Sequence, residues 1–173
     1  LLEPASTNKI IYSNQLSQWG QTNVTVVNDS LTSPDGTINA SKITDNSTNG
    51  NHRLIEQNTT SSSGEATYSI FLKKGTMKTA FINLFSGGTI ANADVNLETG
   101  TITSGGAGSN HKIENYGDDW YRVSITGTLA DAATYTYVYL NQLAGYVGNE
   151  DFLYAWGGQL EELSYSTSII PTN

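Results

Sequence analysis

Few side chains in this 173-residue chain have the type and spacing for acid–base or metal chemistry. The two histidines, His52 and His111, lie far apart, each in or beside a polar stretch. Both read as solvated surface rings rather than as a base or a ligand pair. Acidic neighbours occur at Asp118-Asp119, Glu150-Asp151 and Glu161-Glu162. On a strand, adjacent side chains point to opposite faces, so none of these pairs can flank one scissile bond as two-carboxylate hydrolysis requires. The first two pairs read as turn residues and the third as a solvated strand end. No Gly-x-Ser-x-Gly elbow presents a serine nucleophile. The glycine-rich Ser104 to Asn110 (SGGAGSN) does not lead a strand into a helix, as a phosphate cradle must. The expectation is a protein that is not an enzyme.

More informative is a run of aromatics interleaved with amides and hydroxyls. In Thr134 to Leu143 (TYTYVYLNQL), alternation sets Thr136, Val138 and Leu140 on one face and Tyr135, Tyr137, Tyr139 and Asn141 on the other. In Thr79 to Phe85 it turns Ala80, Ile82 and Leu84 inward and Phe81, Asn83 and Phe85 outward. Trp120 to Thr128 buries Tyr121, Val123 and Ile125, with Arg122 and Ser124 on the other side. A sheet face carrying aromatic planes among amides, hydroxyls and a guanidinium suits a sugar. Ring C–H faces stack on aromatics, and hydroxyls pair with planar donors and acceptors. The alternative is that the tyrosines fill a second packing layer or lie beneath a loop.

Short strands must position these side chains, because no window carries a sustained helical period. Strand-like segments are Asn23 to Asn28, Ala40 to Thr44, His52 to Gln57, Ala66 to Lys73, Thr79 to Phe85, Lys112 to Asn115, Trp120 to Thr128, Thr134 to Leu143 and Phe152 to Leu160. In the fourth of these, Tyr68, Ile70 and Leu72 share a face. Val95 to Thr103 reads as a hairpin turning at Thr99-Gly100. Ser33 to Gly36 (SPDG) is a turn in which Pro34 sets φ and Gly36 accepts a positive φ. Asp45 to Asn51 and Asn58 to Gly64 are polar loops. About ten short strands in one all-β domain, residues 1–173, imply a two-sheet antiparallel β-sandwich.

Composition narrows the function further. Eight basic against sixteen acidic residues leave a net charge of −8, which speaks against nucleic acid or an anionic membrane as partner. Charged residues are only 14%; polarity comes instead from 22 Thr, 18 Ser and 17 Asn. Cysteine is absent, so there is neither a disulfide framework nor a thiolate metal site. No apolar run approaches the roughly 18 residues of a membrane span. Five Asn-x-Ser/Thr sequons (Asn23, Asn28, Asn39, Asn46, Asn58) are what chance supplies in so Asn-, Ser- and Thr-rich a chain. The opening residues carry neither an initiator Met nor a signal-peptide pattern, which suggests a module of a longer protein.

The order of segments carries a resemblance. Trp19 in LSQWG precedes SPDGTINASKIT, HRLIEQ, GEATYSIFLKKG, DDWYRVSITGTL and finally YVYLNQLAGYVGNEDFLYAWGGQLEE. In this the chain resembles the β-jelly-roll carbohydrate-binding modules of families four, nine and twenty-two, with a galactose-binding-like fold. It is similar also to modules of phage tail and head-fibre proteins that open with LLEPxxTN and close with TSxIPT, here Leu1 to Asn8 and Thr167 to Thr172. The resemblance implies an extracellular, secreted or virion-surface location and a lectin-like, non-catalytic role. A glycan would be the ligand, and the acidic net charge makes a neutral one the expectation, with avidity gained if the parent protein is an oligomer. It places sugar contacts on the concave sheet, where Tyr137, Tyr139 and Asn141 fall on a contributing strand, and on the loop leading into the HRLIEQ strand; alternation adds Phe85 from the counterpart strand. In HRLIEQ, Arg53 and Glu56 stand at the groove edge, although a regular strand sends them to opposite faces. It also implies a structural calcium at Asp35, whose partner acid near the last strand is replaced here by Trp156. The second expectation is a structural or capping module of a phage fibre that binds nothing small.

Overall fold

The structure, a computed structural model, describes residues 3–58, 63–130 and 132–173. Leu1 and Leu2 of the opening motif and residues 59–62 of the second polar loop lie outside the described residues. After a 3-10 turn at Leu16–Gln18 come β1 (Gly20–Thr22), β2 (Val24–Thr32), β3 (Ile38–Asp45), β4 (His52–Asn58), β5 (Gly64–Lys74) and β6 (Thr79–Ser86). They are followed by β7 (Thr89–Asn96), β8 (Thr101–Gly105), β9 (Ser109–Asn115), β10 (Trp120–Leu129), β11 (Thr134–Asn141) and β12 (Phe152–Glu161). Two six-stranded antiparallel sheets result, ordered β1-β4-β11-β6-β7-β8 and β2-β3-β12-β5-β10-β9. This is the two-sheet β-sandwich expected from the alternation.

The inner layer is built as period two dictates. Leu54, Ile82, Leu84 and Val138 from the first sheet meet Tyr68, Ile70, Leu72, Val123, Ile125 and Leu153 from the second, all fully buried. Truncating one such side chain to Ala typically costs about 2–5 kcal/mol. The SPDG turn closes as read: the Gly36 N–H donates to Ser33 O at 3.0 Å, with Gly36 at φ +85°. The β7–β8 hairpin turns at Gly100, φ +64°. Its first strand starts earlier than expected, at Thr89. Ala, Asn and Asp, which dominate that stretch, are weak strand formers; the strand is paired on both sides, by β6 and β8, and buries Ala91 and Ala93, with Gly108 so close that a Cβ there would stand 2.5 Å from the Ala91 Cβ.

The second sheet is covered on its outer side as well. Trp120, Trp156, Phe71 and Ala40 form a small cluster capped by Leu31, Tyr154 and Ile169. Arg122 lies under the C-terminal segment, donating to Thr167 O at 2.6 Å and Ser69 Oγ at 3.0 Å. Arg122 and Ser124 therefore do not share a face with the tyrosines of β11, because β10 and β11 belong to different sheets. Glu161, expected at a solvated strand end, is fully buried and accepts from the Gln159 amide, the Thr167 N–H and the Thr167 hydroxyl.

The two terminal motifs clasp each other across this covered side. The Asn8 amide donates to Gly158 O and Ile170 O, and its oxygen accepts from the N–H groups of Ile10 and Leu160, each at 3.0 Å. Thr172 donates to Ile10 O at 2.6 Å. A bulge at Gly157-Gly158 makes room: Gly157 has φ +64°, and a Cβ on Gly158 would stand 2.7 Å from the Trp19 ring. The chain's end motifs are thus a structural lock over the middle of this side, while Val27, Lys42 and Phe152 towards the β2 edge stay partly exposed.

Candidate functional site

Strand register arranges the outer face of the first sheet in rows. Tyr139 pairs with Arg53 on β4 and with Phe81 on β6, and Phe81 pairs with Asp94 on β7. That row reads Arg53, Tyr139, Phe81, Asp94. The next reads Ile55, Tyr137, Asn83, Asn92. In the third, Tyr135 stands opposite Phe85.

The rings are in contact along and across the strands. Tyr137 stacks on Tyr139 with centroids 5.6 Å apart and planes at 27°, and Tyr135 follows at 6.3 Å. Phe81 meets Tyr139 edge-on at 5.5 Å, and Phe85 meets Tyr135 at 6.1 Å. The Arg53 guanidinium lies 5.2 Å from the Tyr137 centroid and 5.5 Å from that of Tyr139, a cation–π arrangement. Its Nη1 donates to the Tyr139 hydroxyl at 2.9 Å. Tyr139 and Asn83 are buried in this layer, whereas Tyr135, Tyr137, Phe81, Phe85 and Arg53 are half-buried. Two polar atoms under the rings, Arg53 Nε and Asn83 Oδ1, are buried with no hydrogen-bond partner. Burial raises the pKa of the Tyr137 hydroxyl, reinforced by Tyr139 and opposed by Arg53, so it remains a neutral donor at physiological pH.

Of the residues expected at a groove, Arg53, Phe85, Tyr137 and Tyr139 are carried on the outer side of this sheet; Glu56 is not, and Asn141 lies beyond a bulge that pairs it with the buried His52. Three positions from Arg53, Glu56 falls on the inner face with Leu54, opposite Thr136, and is 7% exposed. Burial pushes its carboxyl up to about 7. The same parity buries His52, expected at the surface. Its ring nitrogens face Asn23 O at 2.7 Å and Thr48 O at 3.0 Å, and Tyr146 packs edge-on against it.

Asn141 follows a bulge at the end of β11 and lines a cleft of about 310 Å³ with Thr79, Phe81, Asp94, Thr103 and Leu143. Asp94 and Thr103 escaped the sequence reading. The alternation Ala91, Ala93, Val95 against Asn92, Asp94, Asn96 would have revealed the first, had Thr89 to Asn96 been recognised as a strand.

The residues around Asp35 do not fit a calcium ion. One carboxylate oxygen accepts from the Ser33 hydroxyl at 2.8 Å and from the N–H and hydroxyl of Thr37 at 2.8 and 2.7 Å; the other takes the Asn39 amide at 3.1 Å. Burial alone would raise the Asp35 pKa, but the bonds from Thr37, Ser33 and Asn39 outweigh it and hold the pKa at about 2. Among the described residues no three His, Asp or Glu side chains converge as a cation site requires. Trp156 is packed in the cluster with Phe71.

What the fold and this face define is a β-sandwich with one outer side partly covered by the chain ends and one aromatic, amide-bearing outer side. In comparisons with known proteins the chain matches no family model and no curated protein.

Proposed function

We propose that this chain is a non-catalytic glycan-binding module of a larger extracellular or virion-surface protein, holding a neutral poly- or oligosaccharide on the outer face of its first sheet. One observation carries the reading. Five aromatic rings, Tyr135, Tyr137, Tyr139, Phe81 and Phe85, form a contiguous layer among amides on the outer face of the first sheet. Recognition would be an equilibrium of ring stacking and hydrogen bonds to hydroxyls, with Arg53 held in place by the rings beneath it. A net charge of −8 disfavours sulfated or uronic polymers by like-charge repulsion. A glycan array with the isolated chain tests this. Neutral glycans should bind, and Tyr137→Ala should weaken them by about 1–3 kcal/mol, as for other desolvated aromatic anchors. An array without a neutral glycan among its hits refutes the proposal.

A second reading, a spacer or capping module of a phage fibre, is favoured by the packing of Arg53 over Tyr137 and Tyr139 and the near-complete burial of Tyr139. On that reading the rings are a second structural layer. Tyr137→Ala then lowers stability by several kcal/mol, as a core truncation does, and the array stays blank.

A further inference from the structure

Beyond the tyrosine row, the cleft at the Asn141 end of β11 contains polar groups that the fold itself does not use. The Asp94 side chain has no hydrogen bond or ion pair among the described residues, and the Thr103 hydroxyl donates to its backbone oxygen at 3.4 Å. The Asn141 amide is oriented: its Oδ1 accepts the Leu143 N–H at 2.8 Å, which leaves the NH₂ end with no described partner. Phe81, paired directly with Asp94 across β6 and β7, supplies an apolar wall. Thr79 and Thr103 add hydroxyls to the lining.

We propose that this cleft is a subsite for the terminal ring of the glycan, a neutral hexopyranose, and that it sets which chain ends the protein accepts. The proposal rests on the glycan reading above and deepens it. An unpaired carboxylate accepts two O–H donors at once, which matches a vicinal hydroxyl pair. The fixed NH₂ of Asn141 donates to a neighbouring hydroxyl or ring oxygen. Phe81 takes the C–H face. A single carboxylate with no second acid is a poor cation site. At about 310 Å³ the cleft stands at the small end of ligand pockets, which run from roughly 300 to 1,000 Å³, and so suits one ring. From Tyr139 back to Tyr135 the aromatic row then extends about 14 Å along β11, at about 3.4 Å per residue, for the rings that follow. The Asp94 charge repels a uronic acid in the terminal position.

The test uses the whole chain, ¹⁵N-labelled, with methyl β-D-glucoside, methyl β-D-galactoside, methyl α-D-mannoside and methyl β-D-glucuronide as probes. In parallel, binding to β-glucan, xylan and galactomannan is measured. At least one neutral methyl hexoside should shift the Asn141 side-chain amide signals saturably, and the glucuronide should not. Asp94→Asn should weaken that binding tenfold or more and erase the discrimination against the glucuronide. Asn141→Asp, which keeps the acceptor for the Leu143 N–H, should also weaken it tenfold or more. If a polymer binds and depends on Tyr137 while Asp94→Asn and Asn141→Asp bind like the parent, the cleft assignment is overturned and the aromatic face stands. If no polymer and no methyl hexoside binds, both fall together.

Discussion

Replacing Glu56 by Gln should leave the protein unchanged at pH 4 and make it more stable at pH 8. The carboxyl is buried on the inner face of β4, beside a Thr136 hydroxyl that also has no partner. Desolvation disfavours its charged form and lifts its pKa from the ordinary 4.5 to about 7. Between those values the unfolded chain releases the proton and the folded chain keeps it. Unfolding is therefore favoured progressively as the pH rises through that window, and the loss is complete above pH 7. At about 1.4 kcal/mol per pH unit, the interval from 4.5 to about 7 amounts to at most about 3 kcal/mol. Gln has the same size and is neutral throughout, so the dependence on pH disappears with it. For a chain of this length, 3 kcal/mol corresponds to roughly 6–12 °C in melting temperature. Urea unfolding of parent and Glu56→Gln from pH 4 to 8 isolates the effect, because every other titrating group is common to both. The two stability curves should coincide at pH 4 and diverge steadily to pH 7. Parallel curves would show that Glu56 is solvated in the folded state, and the inner-face assignment of β4 would fail with it.

Three further outcomes are expected. Asn8→Ala leaves two carbonyls and two N–H groups of the terminal clasp unpaired; at about 1–3 kcal/mol for each buried group left unsatisfied, the loss should be at least about 3 kcal/mol in urea unfolding, and a variant as stable as the parent would refute the clasp. Tyr137→Ala should fold with the parent's circular dichroism spectrum and lose less than about 2 kcal/mol of stability, because a half-buried outer side chain leaves no closed cavity; loss of cooperative unfolding would make it a core residue. Calcium at millimolar concentration should not change the melting temperature, whereas a site filled at a hundred times its Kd would add about 2.7 kcal/mol. Asp35 should instead show itself in acid. Its lowered pKa supports stability above its ordinary 3.8 that is lost as the pH falls towards 2, and Asp35→Ala should lack that dependence.

Alternation made most of the sandwich legible in the sequence. Where apolar β-formers alternate with polar residues, as in Thr79 to Phe85 and Thr134 to Asn141, the strand, its inner face and its outer face all follow from a period of two. So does the outward direction of Tyr137 and Phe85, which requires only that Val138 and Leu84 be inside. The same rule already placed Arg53 and Glu56 on opposite faces. What no local pattern contains is which strands become neighbours. Arg122 looked equivalent to Tyr137 until β10 and β11 fell in different sheets, and Glu161 looked solvated until Thr167, brought back by the chain's end, covered it. Asp94 and Asn141 are far apart in sequence, and only the β11-β6-β7 pairing brings them to one cleft. Direction along a strand is set by the chirality and pleat of each residue, so it can be read from the order of residues. Partnership between strands is decided by which arrangement buries the most apolar surface with every backbone group paired, and that is a property of the whole chain at once.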